Sequence, residues 1–311
     1  MGNAIYHYDY RSYSGYEPNR VNLGDYIQSI AASQYFKKID YTIDRDSLFD
    51  VKEQTNVIGN GWYVLDKERH TPSDCLNILP VSVHINNRSE EVVDIIKRIS
   101  KGNPVGCRDV ATLSFLQENR VDSYFSSCLT TTIDKKNITN SEKRSGIVFA
   151  DLDVFEKKLK IFPLNKLLKR YFIGSPENKL AKMAYSFINY YDGEEVTRTS
   201  HICSLKYSHD ERFAKAKQLL EIYANARCVF TSRIHCALPC LALGTPVILI
   251  TKTNDSLRYQ GISRFLNHIW IENDGKVVQE VATNNGEVIN TDLYLEKALE
   301  LRKTCFDFVR S

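Results

Sequence analysis

A chain of 311 residues is longer than one comfortable hydrophobic core and predicts two domains, or one large one. Its 43% hydrophobic and 25% charged residues are ordinary for a globular protein, and a formal charge of +3 is too small to support general nucleic-acid binding. That charge still permits a local basic cleft for an anionic small molecule. Eight cysteines without a CxxC pair or zinc-finger spacing read as small buried hydrophobes in a reduced, cytoplasmic setting, with no metal expected. The N-terminal MGNAIYHYDYRSY has no basic flank and apolar core of a signal peptide, and Tyr6 misses the myristoylation pattern. The apolar stretch 228–250 is interrupted by Arg233, His235, Pro239 and Pro246, which excludes a membrane span there.

In chain order, residues 4–10 are a strand candidate, followed by a loop rich in Tyr, Gly and Pro. Asn22-Leu23-Gly24-Asp25 opens an apolar-periodic helix through Phe36. A Gly at that junction lets backbone approach a ligand, and Asp25 is either a sugar-hydroxyl acceptor or a simple helix-entry carboxylate. Strands are expected at 39–43, 55–58 and 78–85. After the second of these, Gly59-Asn60-Gly61-Trp62 reads as a tight loop, serving a ligand or only a turn. His84 near the end of the third is a loop-edge candidate with a structural alternative. Residues 90–100 form a helix with Val92, Val93, Ile95, Ile96 and Ile99 on its buried side. A strand at 105–107, a helix at 109–118 with Asp109 as N-cap, and a strand at 121–125 close the first half. Arg108 is thereby fixed at the sheet's ligand edge, to bind phosphate or carboxylate bidentately or to pair with a carboxylate of the protein itself.

Residues 132–144 turn polar and read as an interdomain linker. The pattern restarts with a strand at 146–150, helices near 178–190 and 210–226, and a strand near 196–202 between them. Next comes the most informative unit. Thr231-Ser232-Arg233-Ile234-His235 lies between the apolar runs Cys228-Val229-Phe230 and Pro246-Val247-Ile248-Leu249-Ile250. Two short buried strands with a helix over 233–243 between them are predicted, with Thr231 or Ser232 as N-cap and Gly244 as the C′ residue. Open α/β sheets bind ligands at their carboxyl edges, and a helix N-terminus favours anions there. An anion in the cleft is therefore one partner for Arg233; a neighbouring carboxylate is the other. Lys252, Arg258 and Arg264 follow and could add positive potential. A strand at 269–271 and a terminal helix over 292–308, capped by Thr291 or Asp292, complete the chain.

Alternating strands and helices imply parallel sheets. The expected architecture is α/β, with two Rossmann-like domains at 1–132 and 145–290 facing a central cleft, and a terminal helix at 291–311. Residues 157–172 carry six basic and no acidic side chains interleaved with Leu, Ile and Phe. A peripheral membrane contact or an ordinary basic surface both fit that composition, and Pro163 breaks any single long helix through it.

NLGDYIQS, the GNGW loop, the CRD junction, TSRIHCALPCLALGTPVILI and RYQGISRF together resemble the polysaccharide pyruvyl transferase family, as ordered landmarks across nearly the whole chain. The Ser-Arg-x-His and Gly-Thr-Pro pair is the most specific part. The resemblance implies a GT-B-like pair of domains and transfer of pyruvate from phosphoenolpyruvate onto two sugar hydroxyls of a glycan, in bacterial surface polysaccharide biosynthesis. Galactose, receiving a 4,6-ketal, is the expected acceptor sugar, with N-acetylmannosamine or glucose as alternatives, on a glycan or a lipid-linked oligosaccharide. By the same resemblance Arg233 and His235 are catalytic, and Arg108, Arg233, Ser232 and Lys252 are expected to hold the donor. Asn22, Gly24, Asp25, Asn60 and His84 are expected on the acceptor side, and no cofactor is needed beyond the donor itself. Two competing functions remain at this level. One is a glycosyltransferase using a sugar nucleotide. The other is a non-catalytic glycan-binding protein, whose aromatic segment 6–16 would stack on sugars.

Overall fold

The computed structural model describes residues 1–9, 19–63, 71–152, 175–252 and 258–310. The basic segment 157–172 lies outside the described residues. Two six-stranded sheets organise the chain. The first is parallel throughout, in the order β3-β1-β4-β5-β6-β7, with β1 at Gly2–His7, β3 at Tyr41–Asp44, β4 at Thr55–Tyr63, β5 at Leu76–Ile85, β6 at Val105–Cys107 and β7 at Ser123–Phe125. The second runs β14-β13-β12-β11-β8-β9, with β8 at Ile147–Ala150, β9 at Val196–Thr199, β11 at Cys228–Thr231, β12 at Val247–Ile250, β13 at Asn267–Ile271 and β14 at Val277–Glu280. Only its last pair, β13 with β14, is antiparallel. In each sheet the first strand lies between the second and third of that sheet. Connections therefore leave it in opposite directions, which opens a crevice at its carboxyl end.

The helices form where the apolar period predicts them. Helix α1 spans Leu23–Ser33, with Asn22 Oδ1 accepting from Gly24 N at 3.1 Å as N-cap. Helix α2 occupies Glu90–Ser100 and buries all five predicted apolar side chains. Helix α3 occupies Val110–Glu118 under its Asp109 cap, and α4 spans Pro176–Ile188. Helix α5, His209–Asn225, opens with a reciprocal capping box between Ser208 and Glu211. Helix α6, Ile234–Ala242, is buried almost all round, and Gly244 follows it at φ +67°. Helix α7, Leu295–Arg310, begins three residues beyond the expected cap and packs back onto the first half, where Phe306 meets Tyr35 edge-on at 5.1 Å.

Two expectations are revised. The GNGW segment is not a loop but the middle of β4, bulged where its register with β5 shifts between Gly59 and Gly61. The strand expected near 196–202 is two strands. After β9 the chain turns, and β10 at Ile202–Ser204 pairs antiparallel with β2 at Arg20–Asn22, a ribbon joining the two halves. At the start of the polar stretch 132–144, Thr132 and Ile133 are buried, and the Tyr35 hydroxyl donates to Thr132 Oγ1 at 2.7 Å. One continuous apolar core runs from the first sheet through α1, α5 and α6 to one face of the second sheet, and a smaller one covers the other face. No described helix is long and apolar enough to cross a membrane.

Candidate active site

A cavity of about 360 Å³ opens between the carboxyl ends of the two sheets. Arg20, Asn22, Asp25, Trp62 and Arg108 line it from the first half; His201, Ser232, Arg233, His235, Arg258 and Tyr259 line it from the second. Its size suits a small ligand.

Arg233 is placed by the crevice of the second sheet. Strand β11 ends at Thr231, whose hydroxyl donates to Ala150 O at 3.2 Å and accepts from Arg233 N at 3.0 Å. Neither Thr231 nor Ser232 caps α6; Arg233 itself is the N-cap residue, in extended conformation and without a side-chain cap bond. Ser232 Oγ instead donates to Asp151 O at 3.0 Å. The guanidinium of Arg233 pairs through Nε with Asp151 Oδ2 at 2.8 Å and stays 39% exposed into the cavity. The neighbouring carboxylate is thus Asp151, which fixes the inner edge of the guanidinium, while Arg233 also lines the cavity.

His235 sits in the first turn of α6 and is 4% exposed. Across the cavity, Arg108 Nη1 lies 3.4 Å from His235 Nε2. A guanidinium can only donate, so Nε2 is the acceptor and the ring proton is assigned to Nδ1. Burial, then the charges of Arg108 and Arg258, hold this imidazole well below the ordinary histidine range, so it is neutral near pH 7. Gly24 supports it from the first half, its Cα hydrogen facing the ring.

Arg108 follows β6 and is almost wholly buried. Its Nε pairs with Asp109 Oδ2 only at 3.8 Å, too long for a hydrogen bond, and among the described residues neither Nε nor Nη2 has a hydrogen-bond partner. Asp109 is occupied elsewhere: Oδ1 accepts from Thr112 N at 2.9 Å, and Oδ2 takes a 2.6 Å bond from His84 Nδ1. His84 is therefore a support behind Arg108 and does not line the cavity. Burial and the Arg108 charge push its pKa down to about 4.

The other expected residues divide. Asn22 and Asp25 line the cavity, with Gln28 Nε2 donating to Asp25 Oδ1 at 3.2 Å. Gly24 meets His235 without lining the cavity. Asn60 is not brought there: it is buried in the β4 bulge, donating to Gln28 O at 2.9 Å. Lys252 is exposed and outside the lining. Tyr6 and Tyr8, from the aromatic segment considered for sugar stacking, are buried in the first half; residues 10–18 lie outside the described residues.

Sequence reading passed over three contributors. Trp62 lies with its ring 5.7 Å from the Arg258 guanidinium, joining the two halves beside the cavity. His201, in the turn between β9 and β10, accepts from Leu23 N through its carbonyl at 2.7 Å. Asp151 follows β8 directly, an Asp at a strand's carboxyl end that could have been flagged by the same rule applied to Arg108. Among the described residues, no group of three or more His, Cys, Asp or Glu side chains is placed to hold a metal ion.

A family model for polysaccharide pyruvyl transferase matches residues 22–253, a span that contains every expected site residue. A crystal structure of an uncharacterized protein from Klebsiella pneumoniae subsp. pneumoniae is similar over 85% of this chain and 88% of its own, at 14% identity and a TM-score of 0.45. No curated protein matches in sequence.

Proposed function

The chain belongs to the polysaccharide pyruvyl transferase family, which gives it a pyruvyl-transfer role in polysaccharide biosynthesis, and we propose that its donor is phosphoenolpyruvate and its product a ketal on two hydroxyls of one glycan sugar. The observation that carries this reading is the meeting of Arg108 and His235 from opposite halves, with Arg233 held in the same cavity. Phosphoenolpyruvate presents a phosphate and a carboxylate on three carbons, and two guanidinium forks can each offer paired N–H donors to the oxygens of one of these anions.

The atoms balance without a cofactor. Two sugar O–H bonds break and two C–O bonds form at the donor's central carbon, while its bond to the phosphate oxygen breaks. One hydroxyl proton ends on the methylene carbon, making the methyl group; the other leaves with phosphate. Neutral His235, with an acceptor Nε2, is suited to take a hydroxyl proton and pass it on. Arg108 and Arg233 would stabilise phosphate as it departs, in a site where burial strengthens each charge interaction. The proposed acceptor is galactose as the 4,6-ketal, presented on a glycan or a lipid-linked oligosaccharide, with Asn22 and Asp25 on the acceptor side of the cavity.

The test is to incubate the protein with phosphoenolpyruvate and a panel of galactosides, glucosides and N-acetylmannosaminides, reading phosphate release and ketal formation by mass. His235→Ala serves as control, with turnover expected to fall about a hundredfold or more while donor binding persists. Thermal stabilisation by sugar nucleotides but not by phosphoenolpyruvate would replace this reading with the glycosyltransferase one.

A further inference from the structure

Asp151 stands where the second sheet changes direction, between the ends of β8 and β11. Its backbone is in the left-handed region at φ +56°, a conformation that Asp tolerates better than most residues but that still carries strain. Every polar group of the residue is used. Its N–H donates to Thr199 O at 3.0 Å, and its carbonyl accepts from Ser232 Oγ at 3.0 Å. Carboxylate Oδ1 accepts from Ser200 Oγ at 2.6 Å; Oδ2 accepts from His201 N at 3.0 Å and from Arg233 Nε at 2.8 Å. One carboxylate therefore ties the turn after β9, which holds His201 at the cavity wall, to the arginine after β11.

The choice of nitrogen matters. Arg233 gives its inner Nε–H to Asp151, and no hydrogen bond from Nη1 or Nη2 is formed within the described residues. Those terminal groups are what a phosphate or carboxylate would meet end-on. An arginine anchored at Nε has one face fixed before ligand arrives, so less side-chain entropy is lost on binding. We propose that Asp151 is the positioning residue for Arg233, acting on the reaction through that guanidinium and not by touching substrate. This rests on the reading of Arg233 as an anion anchor.

Asp151→Asn is the informative substitution, because an amide can keep its oxygen at the Oδ2 site and donate to Ser200 from the other, removing charge with little change of shape. Expected is a fall in kcat/KM for phosphoenolpyruvate by about ten- to a hundredfold, as for a misplaced catalytic group. In an Arg233→Lys background, the same substitution should add less than about twofold, since both changes act on one unit. Equal losses in both backgrounds would overturn the proposal and leave Asp151 as a structural clamp. A readout independent of turnover is the Arg233 Nε–H signal in 15N NMR, assigned by its loss in Arg233→Lys. It should be slow to exchange in the parent and fast in Asp151→Asn; unchanged exchange would also overturn the proposal. If the parent transfers no pyruvate from phosphoenolpyruvate, the functional reading fails, while the NMR arm still decides whether Asp151 orders Arg233.

Discussion

Gly24 shows how a single side chain, or its absence, bears on the site. A Cβ placed there would lie 3.1 Å from both His235 Cβ and Nδ1, and equally close to Asn22 Oδ1. Its backbone is helical, so glycine is required for space and not for conformation. Gly24→Ala should therefore displace His235 by tenths of an ångström and lower kcat about tenfold. The melting temperature should move little, because alanine regains up to about 1 kcal/mol of helix propensity against the crowding. Full activity in that variant would show that His235 can yield without loss, and that α1 does not set its position.

Among elements, β4 decides how the first half presents its residues. Its bulge turns Asn60 into the core and Trp62 toward the cavity. Gly59 makes this possible, since a Cβ there would lie 2.6 Å from Ile78 Cγ2 and 2.7 Å from the Tyr63 hydroxyl. The Tyr63 hydroxyl is committed to Tyr6, at 3.1 Å. Gly59→Ala should destabilise the fold by about 1–3 kcal/mol through overpacking, seen as a lower urea midpoint at unchanged slope. A midpoint equal to that of the parent would mean that the bulge relaxes freely.

For the whole molecule, acid is the condition that its histidines make costly. His84, His209 and His268 are pushed down to about 4, His235 lies well below its usual range, and His7 is lowered, each chiefly by burial. The unfolded chain binds protons at these sites from about pH 6.5 downward, where the folded chain does not. Their contribution is therefore fully present above about pH 6.5 and lost progressively as pH falls toward 4. Asp44, raised by burial, contributes with the opposite sign but is one group against five. Urea midpoints should decline steadily from pH 7 to pH 5; a midpoint that holds or rises over that interval would contradict this account. His7 and His209 come from opposite halves with ring centroids 4.0 Å apart at a tilt of 38°, so charging both would also strain the contact between the halves.

Local sequence determined most of the elements, because their signals are local. The period of α2, the Asp109 cap, the Gly244 stop and the buried runs of β11 and β12 each depend on neighbours a few residues away. The same locality placed Arg108, Arg233 and His235 at strand ends facing a ligand edge, and the family-like motifs named the chemistry. Other features depend on contacts between distant residues, which no local pattern encodes. Two glycines around an asparagine read as a turn until Ile78 and Tyr63 close on Gly59 and make it a strand. His84 read as a loop-edge ligand until Asp109, 25 residues on, claimed its Nδ1. The tautomer of His235 is set by a guanidinium 127 residues away, and Arg233 is paired with a carboxylate 82 residues before it. Sequence fixes which groups stand at a sheet's edge; only packing decides which of them meet, because burial and distance set charge, tautomer and reach.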